Sequence, residues 1–144
     1  MLREANLEDK DAILSLYLFL HEDRIPKEDE HLNRTWEQII NDENHHLIIY
    51  EIDGQVVSSC VCVIIPNLTR NVRPYALIEN VVTHKDHRKK GYATACLKYA
   101  KELAQKENCY KMMLLTGAKD PATLHFYEAA GFNSNDKTAF VQWL

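Results

Sequence analysis

The first third of the chain carries apolar residues at the spacing of a helix. Between residues 6 and 22 they recur every three or four positions, at Ile13, Leu16, Tyr17 and Leu20. This period predicts an amphipathic helix, which Asn6 can cap with its side-chain oxygen. After a charged stretch, the segment TWEQIINDE predicts a short second helix capped by Thr35. The first five residues, MLREA, predict a short strand.

The middle of the chain predicts three strands. The apolar runs HHLIIYEI and QVVSSCVCVII flank Asp53-Gly54, a dipeptide typical of a tight hairpin turn. A polar loop bounded by Pro66 and Pro74 follows, and the next segment, YALIENVVT, is an apolar strand with a polar interruption.

A helix, a strand and a second helix follow in the last third of the chain. A helix with an apolar stripe begins near Gly91, YKMMLLTG predicts a strand, and PATLHFYEAAGF predicts a helix with Gly131 as its C-terminal cap. Residues 137–144, KTAFVQWL, predict a closing strand. The order β-α-α-β-β-β-α-β-α-β predicts one α/β (α+β) domain over residues 1–144, with a mixed, mostly antiparallel sheet flanked by helices.

Composition narrows the class of protein. The length of 144 residues, with 46% hydrophobic and 26% charged residues, is ordinary for one globular domain. The net charge of −4 argues against nucleic-acid binding, which needs a basic surface. No stretch approaches the roughly 18 apolar residues of a membrane span, so we expect a cytoplasmic protein with no membrane partner. The four cysteines lack CxxC spacing, and we interpret them as small buried apolar residues.

A basic run stands where a helix normally disfavours it. The segment DHRKKGYATACLKYA places three basic residues before a predicted helix start, namely Arg88, Lys89 and Lys90. The N-terminal end of a helix is already positive and offers unpaired N–H groups, so such a run is explained by a bound anion. Gly91 and Ala93 are small, so phosphate oxygens could approach the backbone of the first turn closely, and Thr94 adds a hydroxyl group. The alternative is a solvated basic turn. P-loop and dinucleotide-binding patterns both fit poorly.

Three segments together resemble the GNAT superfamily of N-acetyltransferases. RKKGYA, residues 88–93, fits the signature Q/R-x-x-G-x-G/A. LHFYEAAGF, residues 124–132, is similar to the second family motif, a helix that carries a tyrosine and ends in Gly-Phe. IENVVT resembles the central strand that precedes the signature. The resemblance covers residues 75–133, and within the superfamily the chain is loosely similar to glucosamine-6-phosphate N-acetyltransferases.

The resemblance implies acetyl-CoA as the co-substrate, without a metal. Backbone N–H groups of the signature loop would hold the pyrophosphate, which assigns to this role Arg88, Lys89, Lys90, Gly91, Tyr92, Ala93 and Thr94. The lysines would also meet the 3′-phosphate. The pantetheine arm would pair like an added strand with the backbone of Val81, Val82 and Thr83. A backbone N–H near Val81 would polarise the thioester carbonyl.

Tyr127 and Glu79 are the candidate catalytic residues. Tyr127 matches the family position that protonates the departing thiolate; alternatively, it is an aromatic residue on a packed helix face. Glu79 interrupts an apolar strand, where a buried carboxylate is costly without a task. It is a candidate general base, direct or through water, or a substrate anchor with Asn80 as companion. The alternative is a strand position that faces solvent or a water-filled cleft.

Asp120 departs from the second motif, which often has an asparagine seven residues before the tyrosine. An aspartate can accept but not donate the hydrogen bond that this asparagine makes with the pantetheine. Asp120 therefore either contacts the co-substrate or simply caps the helix ahead of Pro121.

The resemblance therefore implies an acetyl-CoA-dependent N-acetyltransferase. The acceptor is expected to be the primary amine of a small molecule, which attacks directly in a ternary complex. The alternatives are a non-catalytic acyl-CoA-binding or sensing domain and a protein or peptide N-acetyltransferase. Homodimers are common in the family, so a homodimer is among the expected partners.

Overall fold

A five-stranded sheet, with helices on both faces, organises the computed structural model, which describes residues 1–144. In chain order the elements are β1 (Leu2–Glu4), α1 (Lys10–Tyr17), α2 (Glu30–Asn41), β2 (His45–Ile52), β3 (Gln55–Ile65), β4 (Tyr75–Thr83), α3 (Tyr92–Lys106), β5 (Met112–Leu114) and α4 (Pro121–Ala129). The strands lie in the order β1-β2-β3-β4-β5, antiparallel except for the parallel pair β4 and β5. The predicted fold class is confirmed. None of the helices combines the length and the apolar character that a membrane crossing requires.

Short sequence patterns correctly predicted one turn and two helix ends. Asp53 and Gly54 both have positive φ, 48° and 79°, as a tight hairpin turn of this kind requires. Asn6 forms a capping box with Asp9, although the first turn is a 3-10 turn (Leu7–Asp9) that leads into α1. Gly131, with φ of 98°, follows α4 as the predicted left-handed residue.

One predicted helix start and one predicted strand are wrong. Helix α2 begins at Glu30, because the side chain of Asp29 accepts a hydrogen bond from Leu32 N at 2.9 Å; the predicted cap Thr35 lies inside the helix. The closing strand over residues 137–144 does not form. A strand needs a neighbour for its backbone hydrogen bonds, and no strand of this chain lies beside these residues.

Hydrophobic cores lie on both faces of the sheet. Under α3 the core includes Ile48, Cys60, Cys62, Ile78 and Leu97. Under α1 and α2 it includes Ile13, Leu16, Trp36, Leu47, Ile49 and Val61. Successive residues of β2 and β3 alternate between the two cores, as the two-residue period of a strand requires.

Strand β4 has an extra residue at its centre. Glu79 pairs with Val61, whereas Val82 pairs with Ser59, so three steps along β4 oppose two along β3. Asn80 lies within this bulge and has φ of 49°, in the left-handed region that asparagine tolerates better than most residues. The bulge turns the second half of β4 relative to the first.

Candidate active site

The second half of β4 has one edge without a partner strand. Strand β5 pairs with β4 only at Ala76, Leu77 and Ile78. From Glu79 to Thr83, β4 continues beyond the end of β5, so this edge offers backbone groups to a ligand. Within this segment, the family resemblance implies that Val81, Val82 and Thr83 pair with the pantetheine arm like an added strand.

The loop after β4 leads into the start of α3, where several backbone N–H groups have no hydrogen-bond acceptor. Gly91 is the N-terminal residue before α3, with φ of 83°, and no side chain caps the helix. The first helical hydrogen bond runs from Ala95 N to Gly91 O at 3.0 Å, so the N–H groups of Tyr92, Ala93 and Thr94 have no helical acceptor. The first turn contains no acidic residue. This arrangement fits an anion.

The basic side chains of this loop carry no ion pair. Arg88 Nε donates to Thr83 O at 3.3 Å, which ties the loop to the end of β4, and Lys90 Nζ donates to Asp86 O at 3.0 Å. Lys89 has φ of 60°. All three side chains are exposed, and none approaches a carboxylate within salt-bridge distance. Their charge is therefore available to a phosphate group.

Tyr92 contributes only its backbone to this loop surface. Its ring packs against Tyr50, with ring centroids 4.6 Å apart, and lies near the His87 ring. Thr83 is likewise held by its neighbours, because its Oγ1 and Ser58 Oγ are 2.8 Å apart. The side chains of Val81 and Val82 pack into the cores on opposite faces of the sheet, which leaves the backbone of this segment for contacts with a ligand.

Tyr127 lies on α4, half-buried against the core under α3. Its ring contacts Phe126 at a centroid distance of 5.0 Å and Phe132 at 6.2 Å. Burial raises the pKa of the Tyr127 phenol above its ordinary value, with a smaller contribution from Cys60. The phenol is therefore protonated throughout the neutral range, as a proton donor must be.

Glu79 is exposed, and the expectation of a buried carboxylate in an apolar strand is wrong. Glu79 and Asn80 line a cavity of about 340 Å³ between the sheet and helices α1 and α2. Glu79 reaches this face by ordinary alternation with Ile78, and Asn80 lies in the bulge that follows. The structure agrees with the alternative interpretation, in which this strand position faces a cleft. The carboxylate has no ion-pair partner in the molecule.

Two polar side chains near Glu79, those of Tyr17 and Ser59, were not singled out from the sequence as site residues. Burial raises the pKa of Tyr17, and this effect is opposed by the nearby side chains of Asn80 and Ser59. Ser59 is fully buried, and its Oγ has no hydrogen-bond partner. Tyr17 is also one of the apolar repeats of α1, so helical spacing alone marks it as a core residue. Only the packing of α1 on the bulge brings these three residues together.

Asp120 caps α4. Its side chain accepts a hydrogen bond from Thr123 N at 2.9 Å, and this bond lowers the pKa of the carboxyl group. Pro121 occupies the first turn of the helix. The capping alternative therefore accounts for Asp120, and a contact with the co-substrate stays a prediction.

Three of the four cysteines fit the interpretation as small buried residues, whereas Cys109 is only half-buried. Cys60, Cys62 and Cys96 are fully buried, and burial raises the pKa of Cys62 and of Cys96 to about 12. Such thiols are poor nucleophiles at neutral pH. No cluster of three or more histidine, cysteine or acidic side chains is arranged to hold a metal ion.

Known proteins share this fold. A provisionally named acetyltransferase from Agrobacterium tumefaciens str. C58 is 36% identical to this chain, with 99% of each chain covered and a TM-score of 0.91. Glucosamine-6-phosphate N-acetyltransferase from Arabidopsis thaliana is 22% identical over 99% of this chain and 97% of that chain, with a TM-score of 0.85. An aminoglycoside acetyltransferase from an uncultured soil metagenomic sample is 11% identical over 100% and 95%, with a TM-score of 0.83.

The last two relatives share the fold at low identity, and the acceptors in their names differ from each other. The model of the acetyltransferase (GNAT) family matches residues 11–132, most of the chain. The matched range includes the loop before α3, strand β4 and the tyrosine on α4. The chain belongs to the GNAT family of acetyltransferases.

Proposed function

We propose that this chain, acting as one domain over residues 1–144, moves an acetyl group from acetyl-CoA to the primary amine of a small molecule. Acetyl-CoA is the acetyl donor of the family. The observation that carries the proposal is the unpaired edge of β4. It runs from the Glu79 cavity at one end to the basic loop at the other, so a single extended molecule can contact both.

The loop and the strand edge suit the two parts of the co-substrate. The pyrophosphate meets the open N–H groups of Tyr92, Ala93 and Thr94, while Arg88, Lys89, Lys90 and Gly91 complete the loop. The lysines supply charge to the 3′-phosphate. The amide groups of the pantetheine arm pair with the backbone of Val81, Val82 and Thr83, in the manner of a strand added to a sheet edge.

Acyl transfer then needs a neutral amine and a stabilised oxyanion. The amine nitrogen attacks the thioester carbonyl in a ternary complex, and a backbone N–H near Val81 donates to the developing oxyanion. Glu79 accepts the proton that the amine loses, directly or through a water molecule. Its exposed position on the cavity wall suits either route.

Collapse of the tetrahedral intermediate completes the reaction. The C–N bond is kept, the C–S bond breaks, and the thiolate takes the proton of the Tyr127 phenol. Tyr127 recovers a proton from solvent, and Glu79 returns one, so the products are an amide and free CoA thiol. The raised pKa of Tyr127 keeps that proton in place until the thiolate forms.

Two other functions are distinguished by one experiment. Purified protein is mixed with acetyl-CoA and a panel of amines, and free thiol is followed. Thiol release with free amines supports the proposal. Binding of acetyl-CoA without thiol release on any amine would identify a sensing domain instead, and faster release with peptide amines would identify a peptide N-acetyltransferase.

We also propose that the chain forms a homodimer. Residues 137–144 expose several large apolar side chains, including Phe140 at 93% and Trp143 at 92%. Clustered apolar exposure of this kind is typical of a contact surface. We expect sedimentation equilibrium to give twice the chain mass, and Phe140→Ser with Trp143→Ser to give the monomer. A monomeric wild-type protein at micromolar concentration would contradict the proposal.

A further inference from the structure

The cavity beside Glu79 is lined mainly by apolar side chains. Of its 14 lining residues nine are hydrophobic, contributed by α1, α2, β2 and β3. Leu14, Leu32 and Ile39 line the cavity but belong to neither buried core. These side chains are half-buried, so part of their apolar surface is open to the cavity. A volume of about 340 Å³ lies in the range of small-molecule sites.

The cavity contains no free cation to receive an acidic group. Lys10 is the one lysine in the lining, and its Nζ is 2.7 Å from Glu28 Oε1 and 2.6 Å from Asn33 Oδ1. His45 also lines the cavity, and burial lowers its pKa, so the ring is neutral at pH 7. A phosphate or carboxylate inside the cavity would therefore remain unpaired, which is costly.

Glu79 is the one carboxylate in the lining. It lies beside Asn80 at the bulge, where the unpaired edge of β4 begins. An amine that enters the cavity thus meets a single negative group, placed next to the edge along which the acyl donor is proposed to lie. A second or third cationic group on the same molecule would have no carboxylate to meet.

We propose that the acceptor is a small primary monoamine whose body is apolar, either aliphatic or aromatic. The amine nitrogen lies at Glu79, and the apolar body packs against Leu14, Leu32, Trp36 and Ile39. This inference rests on the proposed acetyl transfer and names the class of acceptor for that site. The proposed class excludes sugar phosphates, because the cavity has no free cation to pair with the phosphate. It also excludes polycationic aminoglycosides, because the cavity lining has only one carboxylate.

The test compares acceptors with the wild-type protein and saturating acetyl-CoA, with thiol release as the signal. We expect kcat/KM for 2-phenylethylamine and hexylamine to exceed that for glucosamine 6-phosphate, spermidine and kanamycin by at least tenfold. In the series ethylamine, butylamine, hexylamine, kcat/KM should rise about threefold for each added methylene, since each buries more apolar surface.

Two variants test the cavity itself. Ile39→Gln and Leu14→Gln should each lower kcat/KM for hexylamine about tenfold or more, with little change in the affinity for CoA. Leu7→Gln is the matched control, because Leu7 is 53% exposed and outside the cavity lining. It should retain wild-type kcat/KM, and thermal unfolding should show that all three variants are folded.

The acceptor class, the cavity assignment and the proposed function can each be contradicted by a different result. Equal or faster turnover of glucosamine 6-phosphate or kanamycin would overturn the acceptor class while supporting acetyl transfer. Unchanged hexylamine kinetics in folded Ile39→Gln and Leu14→Gln would overturn the assignment of the cavity. Binding of CoA without thiol release on any amine would overturn the proposed function, and the acceptor class with it.

Discussion

Ile78 and Val82 lie four residues apart on β4, yet their side chains belong to cores on opposite faces of the sheet. In a regular strand, residues separated by an even number face the same side. The bulge at Asn80 inserts one residue and reverses this parity. Glu79 comes just before the bulge, so it faces the side opposite Ile78 by ordinary alternation and lines the cavity at the point where β5 ends.

Substitution of Asn80 tests the bulge. Asn80→Gly should keep the bulge, whereas Asn80→Val places a β-branched residue at φ of 49° and should lower the free energy of unfolding by about 1–2 kcal/mol. Urea denaturation measures this loss. Asn71→Val is the matched control, with φ of 61° in the exposed loop before β4. It should lose similar stability but keep its kcat, and equal activity of both valine variants would contradict a role for the bulge in the site.

Tyr127→Phe removes the proposed proton donor while keeping the ring. We expect kcat to fall roughly 10²- to 10⁴-fold, the usual contribution of general acid catalysis, with unchanged affinity for CoA by calorimetry. Tyr99→Phe is a suitable control, because Tyr99 also packs against the core under α3. Wild-type turnover in Tyr127→Phe would remove the assigned role from this residue.

Gly91→Glu should abolish CoA binding, since a carboxylate at the start of α3 repels the phosphate groups. Gly54→Glu is the control for backbone strain, because Gly54 has nearly the same φ, 79° against 83°, and lies in the hairpin turn. No atom lies within 4 Å of a Cβ at either position, so neither substitution causes a local clash. Equal CoA affinity in both variants, measured by calorimetry, would show that the loop does not bind the co-substrate.

Asp9 links β1 to the start of α1. Arg3 donates to both of its carboxylate oxygens, at 2.7 and 2.9 Å, and Asn6 N donates at 2.8 Å. The hydrogen bonds from the Arg3 guanidinium are the main reason that the pKa of Asp9 lies below its ordinary value of 3.8. A carboxyl group whose pKa is lower in the folded state stabilises the protein above its unfolded pKa, and this contribution disappears as the pH falls through the folded pKa.

Asp9→Asn should therefore lower the free energy of unfolding by about 1–3 kcal/mol at pH 7. The difference from wild type should shrink as the pH falls from 5 to 2, because the wild-type carboxyl group is then protonated. Urea denaturation at several pH values measures both effects. Asp11→Asn, at an exposed carboxylate without an ion pair, should change stability little at any pH. A pH-independent difference for Asp9→Asn would contradict the ion pair.

Local chemistry accounts for the features that were predicted correctly. The Asp53-Gly54 turn, the Asn6 cap and the Gly131 terminus each depend on a few adjacent residues, whose backbone preferences act over short range. The basic loop also carried its own evidence, since Arg88, Lys89 and Lys90 precede a helix whose first turn contains no acidic residue. For these elements the sequence is sufficient.

Tertiary packing decided what the sequence left open. The strand expected over residues 137–144 has a suitable apolar pattern, but a strand needs a partner edge, which no local pattern supplies. Glu79 looked costly because a carboxylate in an apolar run suggests burial, but the face of β4 that carries it borders an open cavity. Tyr17, Ser59 and Asn80 come from three separate elements, so only long-range packing brings them together. Short-range preferences thus determined turns, caps and the basic loop, while side-chain packing across the sheet determined the cavity beside Glu79.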